Sequence, residues 1–215
     1  MKKIHILATL FLFILCLTVN GQQPDYASFG IDISNGRIPY GLKEGDKAPD
    51  FTGYDQTGKQ VTLKSFLEKG PVVMFFYRGN WCPACNKQLK AFQDSINMVT
   101  GPGATVVAIT PESIEFVEQT VKMHGITYTV IYDCQEKIME DYDLMFDVTK
   151  DFQDLVSTRL KVNIAEHNGH TPAHLPIAAT YIINKFGTIT ARYFDYDYHN
   201  RASVKWILQN LSTAL

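Results

Sequence analysis

Val72-Val73-Met74-Phe75-Phe76-Tyr77 is an unbroken apolar run, the pattern of a strand buried on both faces. Two more runs echo it, Val106-Val107-Ala108-Ile109 within residues 105–110 and the stretch 128–132. Between the runs, apolar positions recur three and four apart. Leu89, Phe92 and Ile96 predict a helix over 83–98, and Ile114, Val117 and Val121 predict a second, opened by Pro111. Upstream, 50–54 and 60–63 read as short strands around the turn 56–59, followed by a helical turn at 65–69. Downstream, 135–142 reads as helical. Residues 151–160 read as an amphipathic helix with Phe152, Leu155, Val156 and Leu160 as its stripe, and 161–174 as a loop. Residues 179–183 and 188–194 flank Asn184-Lys185-Phe186-Gly187, a hairpin signal, and 202–211 closes the chain as a helix. The order predicts an α/β fold: a mixed central sheet flanked by helices on both faces, with an N-terminal extension and a helical insertion before a C-terminal β-hairpin.

Composition changes this picture little. A chain of 215 residues with 46% hydrophobic and 12% aromatic content suits one domain with additions. A formal charge of −2 without a basic stripe argues against a nucleic-acid partner. The N-terminus adds more. Lys2 and Lys3 precede an apolar stretch over 4–19, and Val19 and Gly21 are small residues suited to a cleavage site, so residues 1–21 read as a signal peptide. The stretch is shorter than the roughly 20 residues that span a bilayer, which favours cleavage over a membrane anchor. A lipid anchor would use Cys16, where the preceding Leu15 is too bulky for the signal. The expectation is an exported protein, periplasmic or secreted, without stable membrane association. Residues 22–44 form an irregular lead-in and 45–215 the folded domain.

The candidate chemistry lies where the first strand meets the first long helix. Cys82 and Cys85 stand three apart, with Pro83 at the first helical position. A helix start offers unpaired N–H groups and the positive end of the macrodipole, and both favour thiolate over thiol. Cys82 is then the cap, its sulfur facing the Ala84 and Cys85 amides, with Cys85 one turn on and on the same face. A zinc site wants four ligands, and the remaining cysteines, Cys16 and Cys134, do not form a second pair. A structural disulfide would close too short a loop to stabilise much. A redox role is the favoured reading.

The stretch Phe76-Tyr77-Arg78-Gly79-Asn80-Trp81-Cys82-Pro83-Ala84-Cys85-Asn86-Lys87-Gln88-Leu89 resembles the F-Y-R-G-x-W-C-P-x-C-x-x-Q-L motif of peroxiredoxin-like proteins. These belong to the alkyl hydroperoxide reductase/thiol-specific antioxidant (AhpC/TSA) branch of the thioredoxin-like superfamily. Gly45-Asp46-Lys47-Ala48-Pro49-Asp50-Phe51, the Ile109-Thr110-Pro111-Glu112-Ser113 turn, residues 175–183 and Asp195-Tyr196-Asp197-Tyr198-His199-Asn200-Arg201 are similar as well. The resemblance implies a thioredoxin-like fold and thiol redox chemistry. Cys82 would be the attacking sulfur and Cys85 the resolving one, with a peroxide or a protein disulfide as substrate and an external thiol reductant such as a thioredoxin-like protein. It implies no cofactor and no metal. The chain also departs from the family. Gly79 stands where typical peroxiredoxins have Thr, and Ala178 where they have an Arg and thioredoxins a cis-proline. Phe76 stands where thioredoxins bury a carboxylate.

Arg78, Trp81 and Pro83 are the supporting candidates. Arg78 reads either as a stabiliser of the thiolate or as a solvated loop charge. Trp81 reads either as a shield beside the sulfur or as core packing. Glu112 reads either as a residue near the cysteines at the strand C-terminal edge or, the favoured reading, as a surface residue at a helix head, and Arg201 reads as a partner of Asp195 or Asp197. His167, His170 and His174 allow a metal site or a histidine near Cys82, neither favoured. Cys134 reads as small and semi-buried. Peroxide reduction is the primary expectation. Disulfide exchange on exported proteins is the alternative, with a non-catalytic binding module or a Cu(I) chaperone behind it.

Overall fold

A computed structural model describes residues 24–214. The leader expected over 1–21, with Cys16, lies outside the described residues. After a 3-10 turn at Tyr26–Phe29, the chain runs β1 (Thr52–Asp55), β2 (Gln60–Thr62), α1 (Leu63–Leu67), β3 (Val72–Phe76), α2 (Pro83–Asp94), α3 (Ile96–Thr100), β4 (Thr105–Thr110) and α4 (Ile114–His124). It continues through β5 (Thr129–Tyr132), α5 (Lys137–Asp141), β6 (Met145–Asp147), α6 (Lys150–Leu160), α7 (Ile164–Asn168), β7 (His174–Pro176), β8 (Thr180–Ile183), β9 (Ile189–Tyr193) and α8 (Val204–Leu211).

Among these residues one mixed sheet has the order β2-β1-β5-β4-β3-β8-β9. The strands β3, β4 and β5 are parallel, and β8 joins β3 antiparallel with Met74 opposite Tyr181. All of Val72 to Phe76 is buried, as the apolar run requires. Alternation along β3 sends Phe75 to one face, its ring centroid 4.5 Å from that of Phe92 on α2. Phe76 turns to the other, 5.6 Å from Tyr142, the residue that ends α5. Both crossovers step the same way across the sheet, so the right-handed rule puts α2 and α4 on one face, where they pack together.

The structure adds elements where a loop was expected. The helix α7 sits inside 161–174, and β6 and β7 pair as a separate two-stranded sheet with Phe146 opposite Leu175. The helix expected over 83–98 breaks at Ser95 into α2 and α3. Ser95 leaves the helical region at φ −114° and ψ 12°, and Asp and Ser are weak helix formers. On α6, Phe152 and Val156 are buried but Leu155 and Leu160 are each 42% exposed, because that side of the helix faces a groove rather than the core.

The lead-in is irregular but packed. Tyr26 and Ile31 are buried, and Ile31 bridges to Val148. Further on, the Gly45 amide donates to the Ile189 carbonyl, the Ile189 amide donates to the Asp46 carbonyl, and Lys47 bridges to Thr188.

Candidate active site

Strand β3 delivers Tyr77 and Arg78 to the start of α2. Gly79 makes the turn possible. Its φ is +152°, and a Cβ there would lie 2.3 Å from Trp81 Nε1 and 2.7 Å from Trp81 Cδ1. Cys82 is the N-cap of α2, Pro83 takes the first turn, and the Cys85 amide donates to Cys82 Sγ at 3.4 Å. Of the two amides expected at the sulfur, Cys85 supplies the bond. Both thiols are free and both side chains are buried, Cys82 fully.

Two guanidinium groups meet the sulfurs. Arg78 Nη2 donates to Cys82 Sγ at 3.3 Å, and the Arg78 amide donates to Cys85 Sγ at 3.5 Å. Arg78 is 2% exposed, which rules out the solvated loop charge. Its planar head is held by rings, with Cζ 3.4 Å from the Tyr198 centroid, 5.2 Å from Trp81 and 5.3 Å from Phe152. Nε and Nη1 of Arg78 are buried without a partner. Trp81 thus packs on Arg78 and Gly79. Arg201 arrives from the far end of the chain. Its Nη2 donates to Cys85 Sγ at 3.4 Å and its Nε to the Tyr198 carbonyl at 2.6 Å. The expected pairing with Asp195 or Asp197 does not form. Asp195 instead accepts from the Asp197 amide and Asn200, and Asp197 accepts from the His199 amide.

These contacts separate the two thiols. The Cys85 hydrogen bond, the charges of Arg78 and Arg201, and the Arg78 hydrogen bond together outweigh burial. They draw the Cys82 thiol down to about 5 from an ordinary value of 9.0. Burial pushes the Cys85 thiol well up, and so do its hydrogen bond to Cys82 and the negative charge there. One sulfur is an anion at neutral pH and its neighbour is a protonated donor.

Glu112 is not on the surface. It is fully buried because the Thr110-Pro111-Glu112 turn folds it under the loop that precedes Cys82. Its Oε1 accepts from the Asn80 amide at 2.7 Å and lies 3.0 Å from His167 Nε2, which is also 3.0 Å from Asn80 Oδ1. The His167 ring stacks on Phe116 with centroids 3.4 Å apart. This buried pair holds the Arg78–Cys82 loop in place; the favoured surface reading of Glu112 does not hold, and the link to His167 was not foreseen. The signal was a carboxylate two residues past a buried strand end.

The three histidines diverge. His167 joins Glu112, and His170 Nε2 contacts the Cys134 carbonyl. His174 bridges Glu136 at 2.6 Å and Asp147 at 2.9 Å. Each is engaged away from Cys82, and among the described residues no group of three His, Cys, Asp or Glu is arranged to hold a metal ion. Cys134 is exposed rather than semi-buried, because Asp133 turns inward to accept from the Met139 amide and leaves its neighbour outside.

A groove of about 210 Å³ opens beside the site, lined by Arg78, Trp81, Pro83, Phe152, Val156 and Tyr198. Leu155 and Leu160 complete its apolar wall.

The AhpC/TSA family profile matches residues 44–192, more than half of the sequence. The chain belongs to the AhpC/TSA family. A chloroplastic peroxiredoxin Q of Sedum lineare is 34% identical over 107 residues, which is 50% of this AhpC/TSA chain and 57% of that protein. The chain spans about half the length of several such curated relatives. Among solved structures, peroxidoxin BcpB from Mycobacterium tuberculosis superposes with a TM-score of 0.62 at 22% identity, over 80% of this chain and 97% of that one. A protein described as a putative protein disulfide isomerase from Bacteroides thetaiotaomicron reaches 0.57 at 21% identity, over 83% and 94%. These two likenesses show the shared thioredoxin-like fold.

Proposed function

We propose that this AhpC/TSA protein is an exported thiol peroxidase that reduces peroxides through Cys82 and Cys85. The observation that carries the reading is the buried Cys82 sulfur beside a caged guanidinium with two unpartnered donors. A thiolate is the nucleophile, and donors aimed past it are what the departing oxygen of a peroxide needs. The Cys82 thiolate attacks the terminal oxygen, the O–O bond breaks, and the leaving oxygen takes a proton from solvent. Cys82 is left as a sulfenic acid. The Cys85 thiolate then attacks that sulfur, forming the disulfide and releasing water, and an external thiol reductant restores both thiols.

Burial favours a small peroxide over a protein disulfide. An attacked disulfide must bring its own sulfur and the chain that bears it to Cys82, which is shut from solvent, whereas a peroxide brings only a small O–O pair past the groove at Arg78, Trp81 and Pro83. The lowered Cys82 thiol supports a reactive sulfur rather than a structural pair. Disulfide exchange is the second reading, supported by the cap position of Cys82 and by the buried resolving thiol one turn on. Export rests on the leader-like pattern of residues 1–21, and no described helix is long and apolar enough to cross a membrane.

The test mixes reduced protein with hydrogen peroxide and follows tryptophan fluorescence, with dimedone trapping in Cys85→Ser. A reaction far faster than that of a free thiol, with a trapped adduct on Cys82, is expected. A rate no better than a free thiol's removes the peroxidase reading, and acceleration of insulin reduction would then move the assignment to exchange.

A further inference from the structure

Arg201 is a half-buried cation with no carboxylate in salt-bridge contact among the described residues. Its two nearest acidic neighbours in sequence, Asp195 and Asp197, spend their oxygens on the turn that carries it. No salt bridge to Arg201 forms among the described residues. Instead Nε is pinned to the Tyr198 carbonyl, Nη2 is aimed at Cys85 Sγ, and Nη1 is buried without a partner. Among the described residues, the anionic group that its guanidinium contacts directly is a sulfur, with the Asp197 carboxylate further off.

We propose that Arg201 is the residue that readies Cys85 for the resolving step, so that each thiol of the pair has its own arginine. The inference rests on the peroxidase reading. The groups facing Cys85 are Cys82 on its own helix, Tyr77 and Arg78 from the end of β3, and Arg201 from the C-terminal loop. In the reduced protein the two cations share one negative charge, on Cys82. That charge works against a second thiolate three residues away. Attack on peroxide turns Cys82 into a neutral sulfenic acid, and the repulsion ends. Arg78 and Arg201 then lose the thiolate they shared, and Cys85 is the group in direct contact with Arg201 that can supply a new one. Cys85 loses its proton, and its electron pair forms the S–S bond as the S–O bond breaks. The hydroxide leaves with a proton, as water. Nη1 of Arg201 is a donor that the departing oxygen can use. The arrangement times the two thiols: Cys85 stays protonated while Cys82 reacts and ionises afterwards.

The experiment compares the wild-type protein with Arg201→Gln and Arg201→Lys, all checked for fold by circular dichroism. Reduced protein is mixed with hydrogen peroxide, and stopped-flow tryptophan fluorescence separates peroxide reaction from disulfide formation. Dimedone adducts counted by mass spectrometry give the sulfenic acid lifetime, from about pH 5 to 9. In Arg201→Gln the lifetime at neutral pH is expected to rise about tenfold, because the pH midpoint of disulfide formation moves up by about one unit. The first phase is nearly unchanged at neutral pH, where Cys82 stays ionised, and slows by up to about threefold only toward about pH 5, since Arg201 is the lesser of the two cations at Cys82. Arg201→Lys keeps the charge but loses the fork, so its midpoint shifts the same way by less. If the Gln variant does not fold, the Lys variant carries the test. A resolving rate and midpoint equal to wild type in a folded variant overturn the proposal. Absence of any sulfenic acid in wild-type protein overturns the peroxidase reading itself, independently of Arg201.

Discussion

Arg78 earns its place by what surrounds it. A guanidinium buried among Trp81, Phe152 and Tyr198 keeps its charge because a thiolate lies 3.3 Å away. Arg78→Met is therefore expected to raise the Cys82 thiol by about one to two units and to slow alkylation by iodoacetamide at about pH 6 by about two- to tenfold. The sign follows from the lowered thiol. Wild-type Cys82 is ionised above about 5, so the variant is the slower one at every pH below its own value, and the two rates converge in alkali. Gly79 makes the opposite point. Putting back the Thr of typical peroxiredoxins would place a β-branched side chain at φ +152° against Trp81. Gly79→Thr should cost about 2 kcal/mol or more, read as a lower urea midpoint. Cys82, Pro83 and Cys85 were legible in the sequence because a helix start is a local event. Arg201, 116 positions from Cys85, was not, and neither was the burial of Glu112 against His167. Contacts of that span depend on the whole fold, and no short window carries them.

Among elements, those with a clear period were legible. The strand β3 and the helix α2 announced themselves by an apolar run and by three-four spacing, and the β8–β9 hairpin by its turn residues. The short pieces β6, α7 and β7 did not, because three to five residues are too few to show a period, and β7 ends in Pro176. Beyond its backbone pairing and the buried Phe146 and Leu175, that small sheet has an electrostatic tie. His174 ties β7 to Glu136 before α5 and to Asp147 at the end of β6. The hydrogen bond to Glu136, chiefly, raises the imidazole above its ordinary 6.5, and the carboxylate charges add to it against burial. A raised histidine stabilises fully below the unfolded value and loses its contribution as pH climbs through the folded one. His174→Gln should therefore cost about 1–3 kcal/mol at about pH 6 and much less at about pH 9, measured by urea denaturation at both.

At the scale of the whole molecule, the order β2-β1-β5-β4-β3-β8-β9 places the sulfurs at the carboxyl end of the central strand β3, where parallel sheets commonly hold their chemistry. The same order leaves β9 last in line, paired to β8 on one side alone. Residues 44–48 occupy its other side, through Gly45, Asp46 and Lys47 and through the Arg192 amide, which donates to Glu44. A chain begun at residue 48 also loses Tyr26 and Ile31, worth about 3 kcal/mol or more of apolar burial, and its urea midpoint should fall accordingly. Its second defect is of another kind. Both cysteines and both arginines would be intact, but the outer rim of the sheet would show bare amides and carbonyls, a template onto which the same rim of a second copy can zip. Light scattering that grows with protein concentration in the shortened chain, and stays flat in the parent, is the expected mark. On that outcome, residues 24–47 guard solubility as well as stability.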